Sequence, residues 1–181
     1  MLDYKNNALK TAHMYPELEP LGSATAFVDE IMDIIDFMPL FQGLDKAEIK
    51  TIAEYMSCFG APTGEILLRE GDTGDYLVLL LTGEVEVWKC DDDGKERKIA
   101  RVMPGTTLGE MSLIDGQPRF ATCITRIPAD FAVLGRTDFN LLLSTHPRLC
   151  AKFTLLLLQI MTRRLRDTSN RMLHAGVGLL V

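Results

Sequence analysis

The sequence predicts a mainly β fold with flanking helices and one long C-terminal helix. Three observations carry this. Short runs rich in β-branched and aliphatic residues recur at 64–70, 76–82, 84–90, 95–102, 120–126 and 131–135. Turn signals separate them, at Gly71-Asp72, Thr82-Gly83, Asp91 to Gly94, Pro104-Gly105 and Asp115-Gly116. Extended helical spacing falls only before and after this block. Many short strands with frequent turns read as a barrel or sandwich.

Taken in order, residues 1–22 are polar and carry Pro16, Pro20 and Gly22, which reads as an extended arm. Over 24–37, Phe27, Ile31, Ile34 and Ile35 fall at helical spacing, and Pro39 ends that helix. Asp45 and Glu48 form a capping box that opens a second helix reaching about Met56. Glu84-Val-Glu-Val-Trp88 alternates like a half-buried strand. Asp91 to Asp93 reads as a solvated hairpin tip rather than a metal site. Helical spacing returns at Thr137–Thr145, and Pro147 suits the first turn of a final helix from about Arg148 to Ala175, ended by Gly176. Along it, Ala151, Thr154, Leu158, Met161, Leu165, Thr168, Met172 and Ala175 form a seam free of charge. That is the pattern of a helix pairing with its own copy. The alternative is a helix lying on its own barrel, and Leu155–Leu157 suggest a second apolar face for it. The expected units are an arm (1–22), a barrel with flanking helices (23–147), a dimerisation or lid helix (148–176) and a tail (177–181).

A chain of 181 residues, 47% hydrophobic and 24% charged, can bury one sizeable core. No signal-peptide pattern opens it, and Leu155–Met161 is far too short to span a bilayer. A soluble, cytoplasmic protein is expected, with no membrane partner. Cys58, Cys90, Cys123 and Cys150 match no zinc or iron–sulfur spacing, and with three histidines no metal site is expected. No catalytic constellation is visible, so the expectation is not an enzyme. Net charge is −6, unevenly spread. Residues 1–147 hold 13 Lys and Arg against 24 Asp and Glu; residues 148–181 hold 6 against 1. The acidic body argues against wrapping nucleic acid.

The segment Leu108–Cys123 carries the chemistry. Gly109 permits close backbone approach to a ligand. A short helical turn starts at Glu110, and its free N–H groups suit a phosphate. Nine residues later, Arg119 enters the next strand beside Thr122. Glu110 can accept from a sugar hydroxyl and Arg119 can fork onto a phosphate. Glu110 is also expected to neutralise part of the Arg119 charge when no ligand is bound. A β-turn with a structural ion pair is the bland alternative.

The whole string, Leu108-Gly-Glu-Met-Ser-Leu-Ile-Asp-Gly-Gln-Pro-Arg-Phe-Ala-Thr122, resembles the phosphate-binding cassette of cyclic nucleotide-binding domains. The glycine-punctuated stretch from Leu67 to Gly83 matches the same family, and the likeness covers about residues 35–175. It implies a double-stranded β-helix, or jelly roll, with helices at both ends. It also implies that Glu110 takes the ribose hydroxyl, that Arg119 takes the cyclic phosphate, and that Gly109, Met111 and Ser112 offer backbone contacts. Phe120 and Ala121 complete the cassette's candidate ligand set. Thr162 to Asn170 resembles the dimer helix of the catabolite activator protein and CRP-FNR-like regulators. There a Thr-Ser pair contacts the adenine, which brings in Thr168 and Ser169.

Three departures matter. Phe120 stands where the family usually has Ser, Ala or Thr; its ring can stack on the purine, turn into the core or fill the pocket. Leu68 and Cys123 replace β-branched residues. No helix-turn-helix follows the dimer helix. The expected function is a cAMP sensor, with cGMP less favoured, acting through repositioning of the C-terminal helix in a homodimer toward a protein effector. The rivals are an interaction module whose pocket Phe120 blocks, and a transcription regulator that touches DNA through its basic tail.

Overall fold

The computed structural model describes residues 14–33 and 38–174. Ile34, Ile35, Ala175, Gly176, the first thirteen residues of the arm and the 177–181 tail lie outside them. The chain forms strands β1 (Glu19–Ser23), β2 (Ser57–Ala61), β3 (Ile66–Leu68), β4 (Tyr76–Leu80), β5 (Glu84–Cys90), β6 (Glu96–Val102), β7 (Thr107–Leu108), β8 (Thr122–Ile127) and β9 (Ala129–Gly135). Helices are α1 (Val28–Asp33), α2 (Lys46–Ala53), α3 (Glu110–Asp115), α4 (Arg136–Thr145) and α5 (Pro147–His174). Two antiparallel sheets face each other, ordered β1-β2-β9-β4-β7 and β3-β8-β5-β6. This is the expected jelly roll with flanking helices.

Strand alternation explains why two cores exist. Along β4, Val78 and Leu80 point into the barrel, while Leu77 and Leu79 point to the helices. On β9, Phe131 and Val133 face inward; Ala132 and Leu134 face outward. The first sheet is therefore apolar on both faces, as its unbroken Leu77–Leu81 run requires. The second sheet has one wet face. On β5, Val85 and Val87 are buried, and Glu84 and Glu86 point out toward Arg101, Arg126 and Lys98 at 3.0–3.3 Å.

The capping box of α2 forms as expected: Asp45 Oδ1 accepts from the Glu48 amide at 2.8 Å, and Glu48 Oε2 accepts from the Asp45 amide at 2.9 Å. Three strands escaped the sequence reading. β1 contains Pro20 and Gly22, residues depleted in strands, which an edge position tolerates. β2 is buried on both faces and so shows no alternation. β7 is only two residues long. The first helix is also shorter than its 24–37 pattern suggests, because residues 24–27 form a 3-10 turn ahead of α1.

Helix α5 lies on its own barrel, with Cys150, Phe153, Leu156 and Leu157 in the outer core. Leu155, expected on the same apolar face as Leu156 and Leu157, points to solvent instead. A helix turns about 100° per residue, so three consecutive leucines cannot share one face. On the expected seam, Leu158, Leu165 and Thr168 are exposed, whereas Thr154, Met161 and Met172 are half-buried.

Candidate functional site

The cassette begins where β7 ends. Gly109 adopts φ 72°, a left-handed conformation that glycine takes without steric cost, and it turns the chain straight into α3. A side chain there would also collide with Arg119. This turn drives Glu110 inward, leaving it 4% exposed. Arg119, equally buried, arrives from the loop before β8 rather than from the strand itself. Its Nη1 donates to the carbonyls of Tyr76 (2.8 Å) and Gly109 (3.0 Å). Its guanidinium lies over the Tyr76 ring, 4.2 Å from the centroid. Gly74 allows this approach: a Cβ built there would stand 2.6 Å from Arg119 Nη2.

Glu110 does not neutralise Arg119, contrary to expectation. Its carboxylate is bound by Arg164 of α5, which also donates to the Thr107 carbonyl at 2.6 Å. Arg119 is instead held by carbonyl dipoles and an aromatic face. The physical reason is reach: Gly109 and Tyr76 already surround the guanidinium, while α5 lays Arg164 across the carboxylate. Two polar atoms are left over. Glu110 Oε2 and Arg119 Nη2 are both buried and have no hydrogen-bond partner among the described residues. One accepts and the other donates, which suits a ligand carrying a hydroxyl and an anionic oxygen.

The other candidate residues divide. Ser112 is buried, and its carbonyl accepts from Arg136 at 3.0 Å. Ala121 is buried in the barrel core, while Met111 is exposed. Phe120 is 55% exposed, so the option of turning into the core is overturned; Lys89 Nζ sits 4.7 Å from its ring centroid. Lys89 is anchored by Glu70, and the Glu70 amide donates to Thr122 Oγ1 at 3.0 Å. Thr168 is exposed and Ser169 half-buried, one helical turn beyond Arg164. Among the described residues neither is hydrogen-bonded to the cassette, and α5 reaches it through Arg164. Nearby Cys123 is held as a thiol, with its pKa pushed up to about 12 by burial and then by the Glu110 charge.

Thr107, Tyr76 and Arg164 were missed in the sequence. Arg164 lies off the charge-free helical seam, and that position does not reveal its partner. The basic tail thus gains a partial explanation. Two of its six cations, Lys152 and Arg164, bind carboxylates of the acidic body, Glu48 and Glu110.

Comparison with known proteins agrees with this geometry. The sequence profile of the cyclic nucleotide-binding domain matches residues 61–146. The chain is similar to the Cyclic AMP receptor protein of Thermus thermophilus, 32% identical over 129 residues, or 71% of this chain and 58% of that protein. It also resembles the cAMP-dependent protein kinase regulatory subunit of Blastocladiella emersonii, 30% identical over 65% of this chain and 28% of that protein. The chain thus spans well under two thirds of these curated relatives. A crystal structure of a cyclic nucleotide-binding domain from Methylobacillus flagellatus KT superposes with TM-score 0.84 at 42% identity, covering 96% of this chain and 98% of that one. Agreement over nearly the full length of both chains, around a cassette folded as its motif requires, means that this chain belongs to the cyclic nucleotide-binding domain family.

Proposed function

We propose that this chain is a regulatory sensor that binds cAMP in the cassette Leu108–Cys123 and transmits occupancy through α5 in a homodimer. The observation that carries the reading is the pair of buried, unpartnered atoms, Glu110 Oε2 and Arg119 Nη2. Leaving a buried polar group unpaired costs about 1–3 kcal/mol, and more for a charged one. A ribose hydroxyl at Glu110 and a cyclic phosphate oxygen at Arg119 offset both costs at once. Gly109, Met111 and Ser112 supply backbone N–H groups at the start of α3. Phe120 and Ala121 border the same loop, and Phe120 stacks against the base rather than blocking the pocket.

Arg164 links the ligand to the helix. It holds Glu110 from α5, so a ligand that engages Glu110 changes the balance of contacts that fix the helix pose. A shift in pose requires different affinity for the two poses. Thr168 and Ser169 lie on the same helix and contact the adenine once α5 from two copies closes over the pocket. The preference for cAMP over cGMP rests on this pair and on the missing hydroxyl at Phe120. The effector is a protein partner. Exposed Arg163 and Arg166 leave contact with DNA phosphates as the reading that a salt-dependent gel shift would raise.

Isothermal calorimetry with cAMP and cGMP tests the proposal. Heat with cAMP at micromolar concentration, and weaker binding of cGMP, is the expected result. No heat with either nucleotide at millimolar concentration would sink it.

A further inference from the structure

Arg119 owes its position to more than the cassette. Among the described residues only its Nη1 finds a hydrogen-bond partner, and the face of its guanidinium rests on the Tyr76 ring at 4.2 Å. Tyr76 is half-buried and is itself met edge-on by Tyr15, with centroids 5.9 Å apart and planes at 75°. Tyr15 comes from the arm, far away in sequence, yet it is only 7% exposed. Its hydroxyl donates to the Leu67 carbonyl at 2.7 Å, and its ring packs against Phe59 and Phe131 inside the barrel. Burial, then Tyr76, raises its pKa well above the ordinary value, so the hydroxyl stays a donor. The arm also walls a pocket of about 430 Å³ that Arg119 lines as well. A tight turn, with the Leu18 amide donating to the Tyr15 carbonyl at 3.2 Å, leads into β1, which pairs with β2.

We infer that Tyr15 is a positioning residue for Arg119. The docked 14–18 segment holds the Tyr76 ring, and that ring holds the guanidinium in the plane from which it takes a cyclic phosphate. This rests on the assignment of Arg119 to the phosphate. Because coupling between two binding events is reciprocal, nucleotide at Arg119 tightens the arm by the same factor by which the docked arm tightens the nucleotide. The arm is then part of the sensor, acting through Tyr76 and Arg119.

The test uses the full chain with Tyr15→Leu and Tyr15→Met, which refill the space without the ring edge or the hydroxyl, and Tyr15→Phe, which keeps the edge. Loss of one aromatic support should weaken cAMP binding about three- to tenfold in the first two, with Tyr15→Phe restoring most of the affinity. In an Arg119→Ala background the Tyr15 substitutions should have no further effect. An equal loss in both backgrounds would mean a general structural role and would overturn the inference. A second readout needs no nucleotide. The Arg119 Nε–H resonance, shifted by the Tyr76 ring, should move toward its unstacked position in Tyr15→Leu; an unmoved resonance overturns positioning. If the wild type binds no cyclic nucleotide, the proposed function fails while this resonance still decides the positioning claim. In the unmodified chain, saturating cAMP should slow hydrogen exchange at the Leu18 amide; binding without such slowing overturns the coupling to the arm.

Discussion

Arg119 and Glu110 sit 4% exposed, each with one polar atom turned to no partner among the described residues. Such an arrangement is costly in a folded core and makes sense as preorganisation for a ligand. Arg119→Ala removes a charge-assisted contact of about 1.5–3 kcal/mol, so cAMP affinity measured by calorimetry should fall at least tenfold. Gly74→Ala should separate affinity from stability. The atoms nearest the new methyl all belong to the end of the Arg119 side chain, Nη2 at 2.6 Å, so the displacement falls on the guanidinium rather than on backbone. Affinity should drop several-fold while the melting temperature stays within about 2 °C. An unchanged affinity would show that Arg119 binds equally well when displaced.

At the scale of elements, α5 has two faces. Its inner face holds Phe153, Leu156 and Leu157; its outer face exposes Leu155, Leu158 and Leu165. Leu158→Glu and Leu165→Glu, at sites 48% and 68% exposed, should leave the monomer fold intact. In sedimentation velocity both should shift a dimer to monomer; dimers unaffected by both would remove α5 from the interface. The Glu48–Lys152 pair, 2.6 Å apart, joins α2 to α5. The Lys152 hydrogen bond, followed by the Asp45 amide, lowers the Glu48 pKa. A carboxylate depressed in the folded state contributes stability above its unfolded pKa, and that contribution is lost as pH falls through the folded value. Both side chains are partly exposed, so Lys152→Met should cost only about 1–3 °C near neutral pH. The difference between variant and wild type should vanish as the solution is acidified below the carboxylate range. A constant difference across that range would mean that packing, not charge, is responsible.

For the whole molecule, ligand binding and folding are linked. A ligand at one hundred times its dissociation constant adds about 2.7 kcal/mol to the folded state. For a chain of this size that raises the melting temperature by about 5–10 °C. Scanning calorimetry with cAMP should show the rise in wild type and its loss in Arg119→Ala at the same concentration. An equal rise in both would place the binding elsewhere.

What was legible in the sequence was local. The alternation Glu84 to Trp88, the capping box Asp45 to Glu48 and the string Leu108 to Thr122 each encode their conformation within a few residues. They therefore announced the barrel, a flanking helix and the cassette. β2 stayed hidden because a strand buried on both faces carries no period. The division of Leu155 from Leu156 and Leu157 depended on the angle at which α5 lies on the sheet. The Phe120 ring, open to three readings in the sequence, is turned to solvent by the close of the loop around Arg119. Tyr15 and Arg164 lie 104 and 45 residues from Arg119. No periodicity links such distant positions. By itself the sequence determined the family, six of the nine strands of the described residues and the two charged groups of the cassette, because these follow from short-range pattern and motif. Only the tertiary structure decided that Arg164 rather than Arg119 pairs with Glu110, and that Tyr15 of the arm meets the Tyr76 ring on which Arg119 rests, because packing alone brings those side chains together.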